Sequence, residues 1–174
     1  FGRFWEDGGI EIARQICIGL AAAQERGVLH RDLKPANIML DGQGRVHIMD
    51  FSLATAEAVT DVRAGTPAYM APEQLLGRQV TLRSDIFALG LVLYELFTGR
   101  RAYEAKTLQD LVSQHESGTI ASPAEITKTT DPAIERAMTR CLERDPAKRP
   151  GSALAVAASL PGGGPLAAAA PARP

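Results

Sequence analysis

Residues 30–37 read His30-Arg31-Asp32-Leu33-Lys34-Pro35-Ala36-Asn37, and Asp50-Phe51 follows 18 residues after Asp32. A carboxylate, an ammonium and an amide thus fall within six residues, with a second carboxylate downstream. Phosphoryl transfer needs such a set: an acid to orient a hydroxyl nucleophile, and hard oxygen ligands to hold magnesium on phosphates. Taken one at a time, Asp32 is a surface acid and Lys34 a solvated charge, as most residues of those types are. The spacing and the second carboxylate argue for a site.

Those groups need elements to hold them. Ile12, Ile16, Leu20 and Ala23 recur on one face of a helix over residues 11–26, with Gly27 placed to stop it. Two short strands, Asn37 to Leu40 and Arg45 to Asp50, flank the turn Asp41-Gly42-Gln43-Gly44. This hairpin presents Asn37 at its entry and Asp50 at its exit. Leu53 to Ala64 is small, polar and aperiodic, as a mobile loop is. Ser84 reads as the N-cap of a helix to Thr98 with Gly99 as its stop, and apolar residues cover nearly every face of that helix. Such a helix belongs in the middle of a domain. Further helices are expected at Thr107–His115, with Asp110 in the capping-box position, and at Pro132–Leu142 and Ser152–Leu160. One small hairpin among helices makes the core mainly α (α+β). Residues 161–174, rich in Pro, Gly and Ala, read as a linker after a domain over 1–160.

Composition excludes several classes. A formal charge of −1 gives no basic footprint, so nucleic acid is not an expected partner. The longest apolar stretch, Ile86 to Phe97, is 12 residues, contains Glu95, and is too short to span a membrane. Cys17 and Cys141 stand 124 residues apart with no metal-ligand spacing, and are expected as reduced thiols in a cytoplasmic core.

His30 to Asn37 fits H-R-D-L-x-x-x-N, Asp50-Phe51-Ser52 follows across the hairpin, and Ala71-Pro72-Glu73 comes after that. With Gly65-Thr66-Pro67-Ala68-Tyr69-Met70, Ser84-Asp85-Ile86-Phe87-Ala88-Leu89-Gly90 and Asp145-Pro146-Ala147-Lys148-Arg149-Pro150, the chain resembles the C-terminal lobe of the eukaryotic-type serine/threonine protein kinases of bacteria. The resemblance implies a helical bundle around a central buried helix with a small catalytic hairpin. It implies ATP and Mg2+ as cofactors, and a protein substrate offering a Ser or Thr hydroxyl. A kinase–kinase dimer is a further partner of this kind. Asp32 is then the catalytic base and Lys34 steadies the γ-phosphate. Asn37 and Asp50 become the magnesium ligands, and Met39 part of the floor under the adenine. His30 and Phe51 stack to link the two loops, Glu73 and Arg149 form a buried ion pair, and Asp85 holds the catalytic-loop backbone. Arg31 pairs with a phosphorylated residue of the activation loop, for which Thr55 and Thr60 are candidates. Thr66, with Lys34, matches the serine/threonine rather than the tyrosine enzymes.

Two departures stand out. Ser52 replaces the family's glycine after Asp-Phe, which stiffens that loop or holds it in one state. No G-x-G-x-x-G loop, V-A-I-K lysine or partner glutamate precedes Glu11, and Gly8-Gly9 is only a loop signal that cannot cradle a phosphate, so the N-terminal lobe is absent from these 174 residues. The expectation is a piece of a longer kinase that alone binds ATP weakly and transfers phosphate poorly. The competing reading is an inactive kinase-like scaffold binding partners through Thr66–Glu73 and the helix near 107–115. A small-molecule phosphotransferase is a third.

Overall fold

A computed structural model describes residues 2–51, 66–118, 120–127 and 131–162. The expected Leu53–Ala64 loop, Ser52, Thr55 and Thr60 lie outside the described residues, as does most of the 161–174 segment. In chain order the elements are α1 (Gly2–Gln24), β1 (Ile38–Leu40), β2 (Val46–Ile48), α2 (Pro72–Leu75), α3 (Leu82–Thr98), α4 (Leu108–Ser117), α5 (Pro123–Thr127), α6 (Pro132–Cys141) and α7 (Ala153–Ser159). Short 3-10 turns precede β1 (Pro35–Asn37), α2 (Thr66–Tyr69) and α7 (Pro146–Lys148). The protein is mostly helical, with a single two-stranded antiparallel sheet among the described residues.

The centre is α3. Every residue from Ser84 to Tyr94 is buried, because α1, α5, α6 and the 66–69 turn pack around it. Its close approach to α6 depends on Gly90: a Cβ there would stand 2.6 Å from the Cβ of Cys141. The start of α3 corrects the sequence reading. The N-cap is Thr81, whose Oγ1 accepts from the Arg83 N–H, while Ser84 sits one turn in and its Oγ accepts from the Thr81 N–H. The cap-favouring side chain at 84 competed with an equally good one at 81, and position alone does not decide between them. Gly99 ends the helix in the left-handed region at φ 68°.

Helix α1 begins at Gly2 and ends at Gln24, against the expected 11–26. Gly8-Gly9 suggested a loop, yet both lie inside the helix. A Cβ on Gly9 would meet Phe97 Cε1 at 3.1 Å, so the glycine serves close packing on α3. Ala13, Ile16, Cys17, Leu20 and Ala21 form its buried stripe. Burial pushes the thiol of Cys17 up to about 12 and raises that of Cys141 as well, so both are poor nucleophiles.

The hairpin is shorter than expected. Ile38 faces Ile48, Met39 faces His47 and Leu40 faces Val46. Asn37 lies in the 3-10 turn before β1, and Asp50 lies beyond the end of β2. The Asp41 carboxylate organises the turn by accepting from the Gln43 and Arg45 N–H groups at 2.8 and 2.9 Å. Helices α4, α6 and α7 occupy Leu108–Ser117, Pro132–Cys141 and Ala153–Ser159, each entered through a capping side chain: Thr107, Asp131 and Ser152. The sequence reading did not include α2 or α5, which have four and five residues. No described helix is long and apolar enough to cross a membrane.

Candidate active site

The 30–37 loop is held from beneath by the first turns of α3. Asp85, 1% exposed, accepts the N–H of His30 at 2.7 Å and that of Arg31 at 2.8 Å. Burial raises its carboxyl above the ordinary range, and the two amide donors pull the other way. Arg31 has φ 67°, the left-handed region that a non-glycine L residue enters only at a cost of about 1–3 kcal/mol. The loop tolerates this because the Arg31 peptide is gripped on both sides: Asp85 takes its N–H, and Gln74 Nε2 donates to its carbonyl at 3.0 Å. Asp50 has φ 55°. These two are the positive-φ non-glycine residues among those described, and they bracket the chemistry-bearing segment.

His30 is fully buried and joins the two loops. Its Nε2 lies 3.0 Å from the Met49 carbonyl, and its Nδ1 lies 3.3 Å from the Asp32 N–H. A carbonyl only accepts and an N–H only donates, so a ring carrying its proton on Nε2 satisfies both. The ring also packs on Phe51, centroids 4.7 Å apart. Met49 closes the circuit by donating its N–H to the Asn37 carbonyl at 2.8 Å. Met49, just before Asp50, is therefore tied through its N–H and its carbonyl to both ends of the 30–37 loop.

Within that frame, Lys34 Nζ lies 2.7 Å from Asp32 Oδ2. Asn37, 7% exposed, turns its Nδ2 onto the Asp32 carbonyl at 2.9 Å and toward Asp32 Oδ2 at 3.4 Å. Its Oδ1 is left facing away from those bonds as an oxygen donor. Asp50 is exposed, and its carboxylate has no hydrogen-bond or ion-pair partner among the described residues. An amide oxygen and an unpaired carboxylate suit a hard cation that takes its remaining ligands from phosphates and water. No cluster of three or more His, Cys, Asp or Glu side chains able to hold a metal occurs among the described residues. The donor set thus fits Mg2+ brought with a nucleotide, not an all-protein cage. Met39 is 52% exposed on β1, on the same hairpin.

A second buried assembly ties α2 to the head of α3. Arg149 uses all five of its N–H donors: on Glu73 Oε1 and Oε2 at 2.7 and 2.9 Å, and on the carbonyls of Glu143, Arg83 and Arg144. Glu73 also accepts from Ser84 Oγ at 2.7 Å. Burial pushes the Glu73 carboxyl up, but the guanidinium and hydroxyl donors outweigh it and hold the group below its ordinary value. Adjacent residues of α3 therefore serve two loops: Ser84 holds α2 through Glu73, and Asp85 holds the 30–37 loop. Thr66 opens the 3-10 turn before α2, and Tyr69 in that turn donates its hydroxyl to Glu95 on α3.

Sequence reasoning missed Ser84 as a partner of Glu73, Gln74 as a clamp on Arg31, and the Met49 peptide as a bridge. Ser84 and Asp85 carried a signal, since polar residues at the head of an apolar helix need buried partners. Gln74 and the Met49 backbone carried none.

This arrangement is that of a protein kinase catalytic lobe, and the protein kinase domain signature matches residues 2–160. The chain belongs to that family. It is 38% identical over 165 residues to the serine/threonine-protein kinase PknH of Mycobacterium tuberculosis, a match covering 92% of this chain and 26% of that protein. It is 38% identical over 168 residues to the serine/threonine-protein kinase pkn3 of Myxococcus xanthus (87% and 30%). It is 33% identical over 150 residues to the serine/threonine-protein kinase PksC of Streptomyces coelicolor (82% and 27%). The chain spans between a quarter and a third of the length of these relatives.

Proposed function

We propose that this chain supplies the substrate-side half of a serine/threonine protein kinase site, transferring the γ-phosphoryl group of ATP to a protein hydroxyl. The observation that carries the reading is the Asp32–Lys34–Asn37 cluster, joined through His30 and Met49 to Asp50, whose carboxylate has no partner among the described residues. Asp32 Oδ accepts the proton of the substrate Ser or Thr as its oxygen forms the new bond to phosphorus and the bond to the β-phosphate oxygen breaks, leaving ADP. Lys34, already against Asp32, keeps a positive charge beside the transferring group. Asn37 Oδ1 and Asp50 would hold Mg2+, which when bound neutralises charge on the phosphates. Met39, exposed on β1, supplies apolar surface on the side where the adenine would rest. The clamp on the α- and β-phosphates is not contained in these 174 residues, so the chain by itself is a weak ATP binder.

Arg31 and the candidate threonines 55 and 60 extend the reading to control, since a phosphate in that segment would pair with a guanidinium beside the base. The family signature ends at 160, and residues 161–174 act as a linker. The test is phosphate transfer by the polypeptide of the complete reading frame. Asp32→Asn is expected to lower kcat by about a hundred- to ten-thousandfold. Transfer unchanged in that variant contradicts the assignment, and an inactive wild type favours the scaffold reading.

A further inference from the structure

The 3-10 turn Thr66–Tyr69 faces the end of α3 and the segment leading to α4, and together they form an open groove of about 730 Å³. Three cations line it, Arg100, Arg101 and Lys106, and all three are exposed. Two carboxylates line it as well, Glu95 and Glu104. They are not equivalent. Glu95 is engaged from within: the Tyr69 hydroxyl donates to its Oε2, and Arg101 stacks over the Tyr69 ring at 5.8 Å. Glu95 thus already has a donor and a nearby positive charge. Neither Arg100 nor Lys106 forms an ion pair among the described residues. With Arg101 set against Glu95, what remains is two cations, Arg100 and Lys106, against the single carboxylate of Glu104.

The cations are also mounted on a braced segment. Gln114 Nε2 donates to the Glu104 carbonyl at 3.1 Å, and Thr107 caps α4 directly after Lys106. Thr98 Oγ1 accepts from the Arg100 N–H at 3.2 Å. Fixed backbone positions mean that little order has to be imposed when a charged partner arrives.

We infer that this groove selects acidic side chains flanking the phosphoacceptor of the protein substrate, through Arg100, Arg101 and Lys106. The inference rests on the kinase reading above, because it takes the 66–69 turn as the place where substrate docks. A basic segment would meet three like charges with one carboxylate, Glu95, already engaged. An acidic segment gains two exposed ion pairs, at Arg100 and Lys106, without drawing Arg101 away from Tyr69 and Glu95. Discrimination here comes as much from repelling the wrong charge as from attracting the right one.

Fluorescein-labelled peptides carrying one Thr flanked by three Glu, three Ala or three Lys, titrated onto the 174-residue chain at low salt by fluorescence anisotropy, test this. The Glu peptide is expected to bind about fivefold tighter than the Ala peptide, the scale of two or three exposed ion pairs, and the Lys peptide weaker than both. The advantage should vanish near 1 M salt, where the screening length is about 3 Å. The triple variant Arg100→Glu, Arg101→Glu, Lys106→Glu alters only exposed positions and should reverse the order. Equal binding of the three peptides, tighter binding of the Lys peptide to the unmodified chain, or an unreversed order in the triple variant overturns the inference. Phosphate transfer to the same peptides by the polypeptide of the complete reading frame separates the two readings. Transfer to all three with equal kcat/KM overturns the acidic selection and leaves the kinase reading standing. Transfer to none overturns the kinase reading, while the binding order alone decides the groove.

Discussion

Replacing Arg149 by Met asks how much of this fold hangs on one guanidinium. The side chain is fully buried and saturated: two bonds to Glu73, three to carbonyls of residues 83, 143 and 144, and its cation over the Phe87 ring at 4.8 Å. Methionine keeps much of the volume but none of the donors. Breaking a buried pair by removing one partner costs about 3–5 kcal/mol, because the Glu73 carboxylate keeps the Ser84 hydroxyl but loses its counter-charge. Three carbonyls also lose a donor, at about 1 kcal/mol each if water reaches them. The loss is thus about 6–8 kcal/mol, comparable with the entire stability of many domains. Arg149→Lys keeps the charge but offers at most three donors without the planar fork, and should cost about 2–4 kcal/mol. Glu73→Gln leaves the three carbonyl bonds intact but strands the buried guanidinium without its counter-charge, and should cost about 3–5 kcal/mol. Urea unfolding followed by circular dichroism at 222 nm reads all three, in the expected order of severity Met, then Gln, then Lys. An Arg149→Met variant within about 1 kcal/mol of the unmodified chain would refute the reasoning. If that variant does not fold at all, an Arg149→Lys variant costlier than Glu73→Gln refutes the ranking just as well.

Other perturbations reach different parts of the structure. His115, 4% exposed, stacks on Tyr103 at 4.2 Å with neither ring nitrogen partnered among the described residues, and burial, aided by Arg149, lowers it from 6.5 to about 4. The unfolded chain then takes up a proton that the folded chain refuses, so stability falls as pH drops from 6.5 toward 4. At about 1.4 kcal/mol per pH unit the loss approaches 3 kcal/mol, and His115→Phe, which keeps the stack, should remove that share of the slope in urea midpoints measured from pH 7 to 4. Asp85→Ala frees the amides of His30 and Arg31, and hydrogen exchange at those two amides should speed up by at least tenfold, reflecting charge-assisted bonds of about 1.5–3 kcal/mol. An unchanged exchange rate there would show that the loop stands without α3. Gly90→Ala drives a Cβ to 2.6 Å from that of Cys141, and should destabilise by about 1–3 kcal/mol in the same urea assay.

Much of this was legible in the chain because the strongest signals are one-dimensional. Apolar residues on every face marked the central position of α3, and Gly99 and Thr107 marked element ends through their own backbone and side-chain chemistry. The loop motif placed Asp32, Lys34 and Asn37 close together because they are close in sequence. The failures share a cause. Gly8-Gly9 looked like a loop because helix propensity is local, whereas the reason for a glycine at 9 is Phe97, 88 residues away. Ser84 looked like a cap because its partner Glu73 lies on another element. The left-handed Arg31 gave no sign and Asp50 only a weak one: aspartate is enriched at positive φ but far less than glycine, and the grip of Asp85 and Gln74 on the Arg31 peptide accounts for the other. Backbone groups, such as the Met49 peptide that joins the two loops, are invisible to any pattern of side chains.

The central claim is that Asp32, Asn37 and Asp50 form one phosphoryl-transfer site. Its most direct test is transfer of radiolabelled γ-phosphate from MgATP to a threonine peptide by the polypeptide of the complete reading frame, with Asp32→Asn and Asp50→Ala alongside. The unmodified protein should transfer phosphate, and Asp32→Asn should lose at least about a hundredfold in kcat. Asp50→Ala should respond to raised Mg2+, because that variant weakens metal binding and leaves the base in place. Undiminished transfer in Asp32→Asn, or an Asp50→Ala variant as active as the unmodified protein at low Mg2+, would contradict the claim.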